Sequence, residues 1–188
     1  MTGYDDFLNL KTAQFRSFRL TVFTGVSGSG KSTAIQWLID HHHDFHDRPV
    51  VRVTGGGLDW AVPNIDDGLV VVDDIIRVKE LAKVIRLLLR GNQVLLAAHL
   101  HPACFVPLRM MWPTRIWRTD LNREKLERHL RARCIEFTRA AVDAYCDEYG
   151  SSYLDMAHIL ERYPGCSFDR ALRLFRKYCR MEKPTLTH

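Results

Sequence analysis

Short runs of apolar residues recur along the first 118 positions, and they fall at Leu20–Thr24, Val50–Val53, Leu69–Val72 and Gln93–Ala98. Continuous rather than alternating apolar runs of this length predict strands covered on both faces, as in a parallel sheet flanked by helices. The alternating Arg115-Ile116-Trp117-Arg118 predicts a more polar edge strand. Between the first two runs, Ser32 to Asp40 reads as a helix with Ala34, Ile35, Trp37 and Leu38 available for packing.

Beyond residue 119 the period changes. Asp120 or Asn122 is placed to cap a helix carrying Leu126 and Leu130 on one face, and Thr138 to cap the next, which runs through Tyr149 to a stop at Gly150. Ser152 with Asp155 resembles a capping box opening a third helix to Arg162. After Pro164-Gly165, Ser167 is placed to cap a last helix with an apolar stripe of Phe168, Leu172, Phe175 and Cys179. The pattern predicts an α/β unit over residues 1–119 and a helical region over 120–188.

The break between the first strand and the first helix carries the chemistry. Gly25-Val26-Ser27-Gly28-Ser29-Gly30-Lys31-Ser32-Thr33 fills the G-x-x-x-x-G-K-[ST] phosphate-loop pattern, in the strand-loop-helix setting that gives the pattern meaning. The glycines let backbone N–H groups turn inward onto phosphates at the positive end of the helix. Lys31 is expected to reach the β- and γ-phosphates and Ser32 to offer its hydroxyl to Mg²⁺. Thr33 is expected to cap or pack.

Leu69-Val70-Val71-Val72 ends in Asp73-Asp74, which predicts carboxylates at the C-terminal edge of a buried strand, where open α/β sheets bind ligands. Asp73 is expected to bind Mg²⁺ and Asp74 to activate water. Asp74 is one methylene shorter than the usual glutamate, and attacking-water geometry tolerates displacements of only about 1 Å, so slow intrinsic turnover follows. His99, after the run Gln93–Ala98, is the candidate to contact a γ-phosphate oxygen or orient water. His101 reads as loop.

Composition sets bounds on this picture. The chain has 188 residues, 46% hydrophobic and 26% charged, as in an ordinary globular protein. No apolar run approaches a membrane span, and the acidic start Met1-Thr2-Gly3-Tyr4-Asp5-Asp6 has no secretory region, so a cytoplasmic location and no membrane partner are expected. Five scattered cysteines, with no C-x-x-C pair, read as reduced and mostly buried. The run His41-His42-His43-Asp44-Phe45-His46-Asp47 reads as a helix C-terminus rather than a zinc site, because adjacent histidines on a helix point apart. Gly55-Gly56-Gly57 before Leu58-Asp59-Trp60 reads as a loop near the nucleotide or a partner.

Residues 1–100 carry 11 basic and 11 acidic side chains, so the net charge of +5 belongs to the second half. On the last helix Arg170, Arg173, Lys177 and Arg180 share a face, which reads first as a solvated surface and second as a track for nucleic acid.

The order of Walker A loop, second strand, Walker B strand, sensor strand, fifth strand and helical bundle resembles the AAA+ superfamily of P-loop ATPases over most of residues 19–162. Val72-Asp73-Asp74-Ile75 is similar to the Walker B variant of initiator and transposition-regulator ATPases. The resemblance implies a three-layer P-loop NTPase core of strand order 5-1-4-3-2 followed by a helical lid. It also implies ATP and Mg²⁺ as cofactors, a homo-oligomer, and a protein or nucleic-acid partner. An arginine finger acting in trans would be Arg109 or Arg115. Ser151-Ser152-Tyr153-Leu154 offers no second-sensor arginine. The Walker A wording and His99 also resemble ATP-binding-cassette ATPases, although no L-S-G-G-Q loop precedes Walker B. Gly-Val-Ser-Gly-Ser-Gly-Lys-Ser further resembles gluconate-type kinases, so a small phosphotransferase and a slow nucleotide switch remain alternatives to the ATPase. Absence of an N-K-x-D motif favours ATP over GTP.

Overall fold

The computed structural model describes residues 8, 10–45, 48–56, 59–120, 122–150 and 152–181, the side chains of Tyr153, Cys179, Arg180 and Met181 excepted. The chain divides into two compact units, residues 1–120 and 121–188.

In the first unit the strands are β1 (Leu20–Thr24), β2 (Val50–Thr54), β3 (Leu69–Ile75), β4 (Gln93–Ala98) and β5 (Thr114–Arg118). They form one parallel sheet of order β2-β3-β4-β1-β5. Read from the β5 edge, that order is 5-1-4-3-2. Helix α1 (Lys31–His41) follows β1, α2 (Leu81–Leu89) follows β3 and α3 (Val106–Met111) follows β4.

Two apolar layers explain why the central strands are apolar throughout. Val70, Val72, Val94 and Leu96 pack with Leu81, Val84, Leu87, Leu88, Phe105 and Leu108 from α2, α3 and their approaches. Their neighbours Leu69, Val71 and Leu95 pack on the other face with Ala34, Ile35 and Leu38 of α1 and with Leu10 and Phe15. Period-two alternation thus sends successive side chains into different cores, both of them buried. At the edge, Trp117 of β5 stacks on Phe15 and Phe23.

The second unit holds α4 (Arg123–Ala132), α5 (Arg139–Tyr149), α6 (Tyr153–Arg162) and α7 (Phe168–Met181). Leu126, Leu130, Val142, Tyr145, Met156, Ile159, Phe168, Leu172 and Phe175 form its core. Asn122, Thr138 and Ser152 cap their helices by accepting from Lys125, Ala141 and Asp155 N–H groups. Gly150 ends α5 at φ 66°. The starts of α5 and α7 are joined, because Thr138 N–H and Oγ1–H both donate to the Asp169 carboxylate at 2.9 and 2.5 Å. Tyr145 hydroxyl donates to the Ser152 carbonyl, and burial raises its pKa.

Several expectations change. Asn122, not Asp120, caps α4. Helix α1 begins at Lys31, and Thr33 is exposed on its first turn, neither capping nor packing. Cys134 is exposed and Cys104, Cys146 and Cys166 are half-buried, because they sit at the rims of the cores rather than inside them. Cys179 and Arg180 of the expected stripes lie outside the described side chains, as do residues 1–6, His46, Asp47, Gly57, Leu58 and Ser151. Among the described residues, no helix is long and apolar enough to cross a membrane.

Candidate functional site

The C-terminal edge of the sheet gathers the polar residues. Gly30 caps α1 in the left-handed region at φ 85°, a conformation that costs a Cβ-bearing residue about 1 kcal/mol or more. Gly25 is required for a different reason: a Cβ there would lie 2.6 Å from Thr119 Oγ1, 2.7 Å from Ser29 Oγ and 2.8 Å from Asp120 Oδ1. The loop is therefore clamped from outside. Ser29 and Thr119 hydroxyls share a 2.6 Å hydrogen bond, Thr119 N–H donates to the Thr24 carbonyl at 2.9 Å, and Val26 N–H donates to Asp120 Oδ1 at 2.8 Å.

Lys31 is only 5% exposed and folds its Nζ back onto the loop, donating to the Gly25 and Val26 carbonyls at 3.0 and 2.8 Å. Burial lowers its pKa below 10.5, while the nearby charges of Asp120, Asp74 and Asp73 oppose the shift. Among the described residues this ammonium contacts carbonyl dipoles and no carboxylate, an arrangement able to take a phosphate.

Ser32 Oγ–H donates to Asp73 Oδ1 at 2.8 Å, so the end of β3 meets the first turn of α1. A hydroxyl and a carboxylate joined at that spot form an oxygen donor set of the type Mg²⁺ accepts. Beyond Asp73 the strand departs from regular pairing. Val72 aligns with Leu96 but Ile75 with Ala98, an extra residue on β3. Ile75 consequently packs in the same core as Val70 and Val72, which strict alternation would forbid. The turn is made at Asp74, whose φ is 61°.

The irregularity brings Asp74 against the neighbouring strand end. Asp74 Oδ1 lies 3.0 Å from His99 Nε2, with the two side chains 42% and 27% exposed. His99 N–H donates to the Ile75 carbonyl at 2.8 Å, fixing the backbone that carries the imidazole. On the opposite side, Gly55 and Gly56 N–H groups donate to the Asp73 and Asp74 carbonyls at 2.7 Å each, tying the glycine loop after β2 to this strand end. His101 caps the turn after it by accepting from Ala103 N–H.

Gly25, Val26, Ser27, Gly28, Ser29, Gly30, Lys31, Ser32, Thr33, Asp73, Asp74 and His99 thus lie on connected segments at one edge. The two arginines do not join them. Arg109 is exposed on α3, and Arg115 is the second residue of β5, three positions before its C-terminal end, with its guanidinium 5.3 Å over the Trp117 ring. Thr119 and Asp120 are additions that sequence reasoning left out of the site. Their signal would have been the Thr-Asp pair directly after the edge strand, at the level where Thr24 pairs with Arg118. No protein-family model and no curated protein matches this chain.

Proposed function

We propose that the chain is a Mg²⁺-dependent P-loop ATPase with slow intrinsic turnover, in which a helical region follows the nucleotide-binding core. The observation that carries the reading is the 2.8 Å link from Ser32 to Asp73, the two residues that would hold the metal in this reading.

In this reading the N–H groups from Gly28 to Thr33 cradle the phosphates, and Lys31 exchanges its loop carbonyls for phosphate oxygens. Ser32 and Asp73 hold the ion, which when bound neutralises charge developing on the transferred phosphoryl group. Asp74 accepts the proton of the attacking water and His99 orients it. Pairing of Asp74 with His99, rather than an open carboxylate, supports slow turnover and keeps the nucleotide switch as the second reading. A homo-oligomer with Arg109 or Arg115 acting in trans, and a protein or nucleic-acid partner on the basic second half, extend the proposal.

Steady-state phosphate release from ATP and Mg²⁺ tests it. Asp74→Asn should lower kcat about 100-fold while leaving ATP affinity within a few-fold, since a general base contributes about 10²–10⁴. Unchanged turnover in that variant would remove Asp74 as the base, and phosphate transfer to a sugar instead of water would favour the kinase alternative.

A further inference from the structure

At the end of α1 the histidine run leaves the helix. His42 is the C-cap with φ −87° and ψ 127°, so the expectation that neighbouring imidazoles diverge, by about 100° per residue on a helix, does not hold. The His42 and His43 rings stack with centroids 4.4 Å apart and an interplanar angle of 28°.

His42 is 2% exposed, and its tautomer is determined from both sides. Nε2 lies 3.0 Å from the Ala13 carbonyl, which can only accept, so Nε2 carries the proton. Nδ1 is then unprotonated and accepts the Asp44 N–H at a long 3.2 Å, a hydrogen bond that a bound ion would displace. Metal-bound imidazoles commonly have a carbonyl or carboxylate on the far nitrogen in this way.

The Asp44 carboxylate lies between the two imidazoles. His42 Nδ1 lies 3.9 Å from Asp44 Oδ2, and His43 Nε2 lies 3.4 Å from Asp44 Oδ1. One ligand atom from each of the three residues lies within 4.8 Å of the others. A tetrahedral shell with bonds of about 2.0–2.1 Å places its ligands about 3.3 Å apart, so closure needs a movement of roughly 1 Å. His43, with a side chain 72% exposed, is able to make it. Asp44 already accepts from Phe15 N–H at 2.8 Å and from Arg16 Nε at 2.9 Å, but a carboxylate offers about four acceptor positions. His43 and Asp44 also line an open cavity of about 430 Å³ shared with Arg19 and Arg48, which leaves room for a water to complete the coordination.

We propose that His42 Nδ1, His43 Nε2 and the Asp44 carboxylate bind a divalent transition metal, with Zn²⁺ as the fitting ion. Two imidazoles and one carboxylate suit Zn²⁺ better than Mg²⁺ or Ca²⁺, which take oxygen shells. The site ties the end of α1 to the segment Ala13–Arg16 and is independent of the nucleotide reading. Arg16 opposes it, because its guanidinium charge contacts one of the ligand oxygens.

Untagged full-length chain, stripped with chelator, is titrated with ZnCl₂ against a chromogenic zinc indicator, and Co²⁺ substitution reports coordination through its visible spectrum. One equivalent is expected, bound at least tenfold more weakly by His43→Ala and several-fold more tightly by Arg16→Ala, with His41→Ala and His101→Ala unchanged. Zn²⁺ should raise Tm in the unsubstituted chain and not in His43→Ala, whose exposed side chain is removable without unfolding, as circular dichroism verifies. Absence of stoichiometric binding, persistence of full affinity in His43→Ala, or an equal loss in His41→Ala overturns the proposal.

Discussion

The two edges of the sheet treat their polar residues in opposite ways. At the N-terminal edge, Asn92 and Gln93 are buried and thoroughly bonded. Asn92 accepts from Gly68 N–H at 2.9 Å and donates to the Ile65 and Leu87 carbonyls at 2.8 and 3.0 Å. Gln93 donates to the Phe15 and Phe18 carbonyls at 3.0 and 2.9 Å and accepts from Arg48 at 2.5 Å. At the C-terminal edge, a lysine rests on its own loop, an aspartate takes a left-handed conformation and a strand loses its register. The first arrangement is what stability alone selects; the second stores strain and buries a charge, which the proposed function explains.

Lys31→Met should separate the edges most widely. On the proposed reading it lowers ATP hydrolysis by at least about 10³, equivalent to roughly 4 kcal/mol of barrier, without lowering Tm. Burial depresses the Lys31 pKa, so holding it protonated costs stability below its folded value, and that cost disappears as pH rises toward 10.5. Met at this position should therefore melt at or above the parent at pH 7, with the difference shrinking toward pH 10. A lower Tm at pH 7 would show that the lysine serves the fold.

Asn92→Leu should do the reverse. It strands Gly68 N–H and two carbonyls in a dry interior, for a loss of about 3 kcal/mol in urea unfolding, while the folded fraction keeps its hydrolysis rate. Loss of activity beyond loss of folded protein would mean that the edges are coupled. Asp74→Gly gives the smallest effect. A glycine accepts φ 61° freely, so stability should rise by about 1 kcal/mol or less after forfeiting the exposed His99 pair, and hydrolysis should fall as in Asp74→Asn. A fall in stability would argue that the His99 pair outweighs the backbone strain.

What the sequence made legible was local or periodic. The run from Leu20 to Asp40 declares strand, loop and helix without help from elsewhere, and Leu69–Asp74 declares a buried strand ending in acids. The caps at Asn122, Thr138 and Ser152 were likewise local, although Asp120 competed for the first until its carboxylate proved to be engaged with Val26 N–H. Thr119 was illegible because its partner Ser29 is 90 positions away and meets it only through the β1–β5 pairing. Asp74 read as a plain strand end, since nothing in Val72-Asp73-Asp74-Ile75 announces an extra residue. The histidine run was legible as the end of α1, but the stacking of His42 on His43 was not, because it depends on the extended backbone of the C-cap.

Asp120 closes the first unit and Leu121 opens the second. Counted along the chain, Val26 in the glycine loop is 94 residues from Asp120; counted through its N–H and the Asp120 carboxylate, it is a single hydrogen bond. The last residue of the α/β unit is thus spent on holding the glycine loop at Val26, so replacing Asp120 would alter the loop without touching any strand or helix.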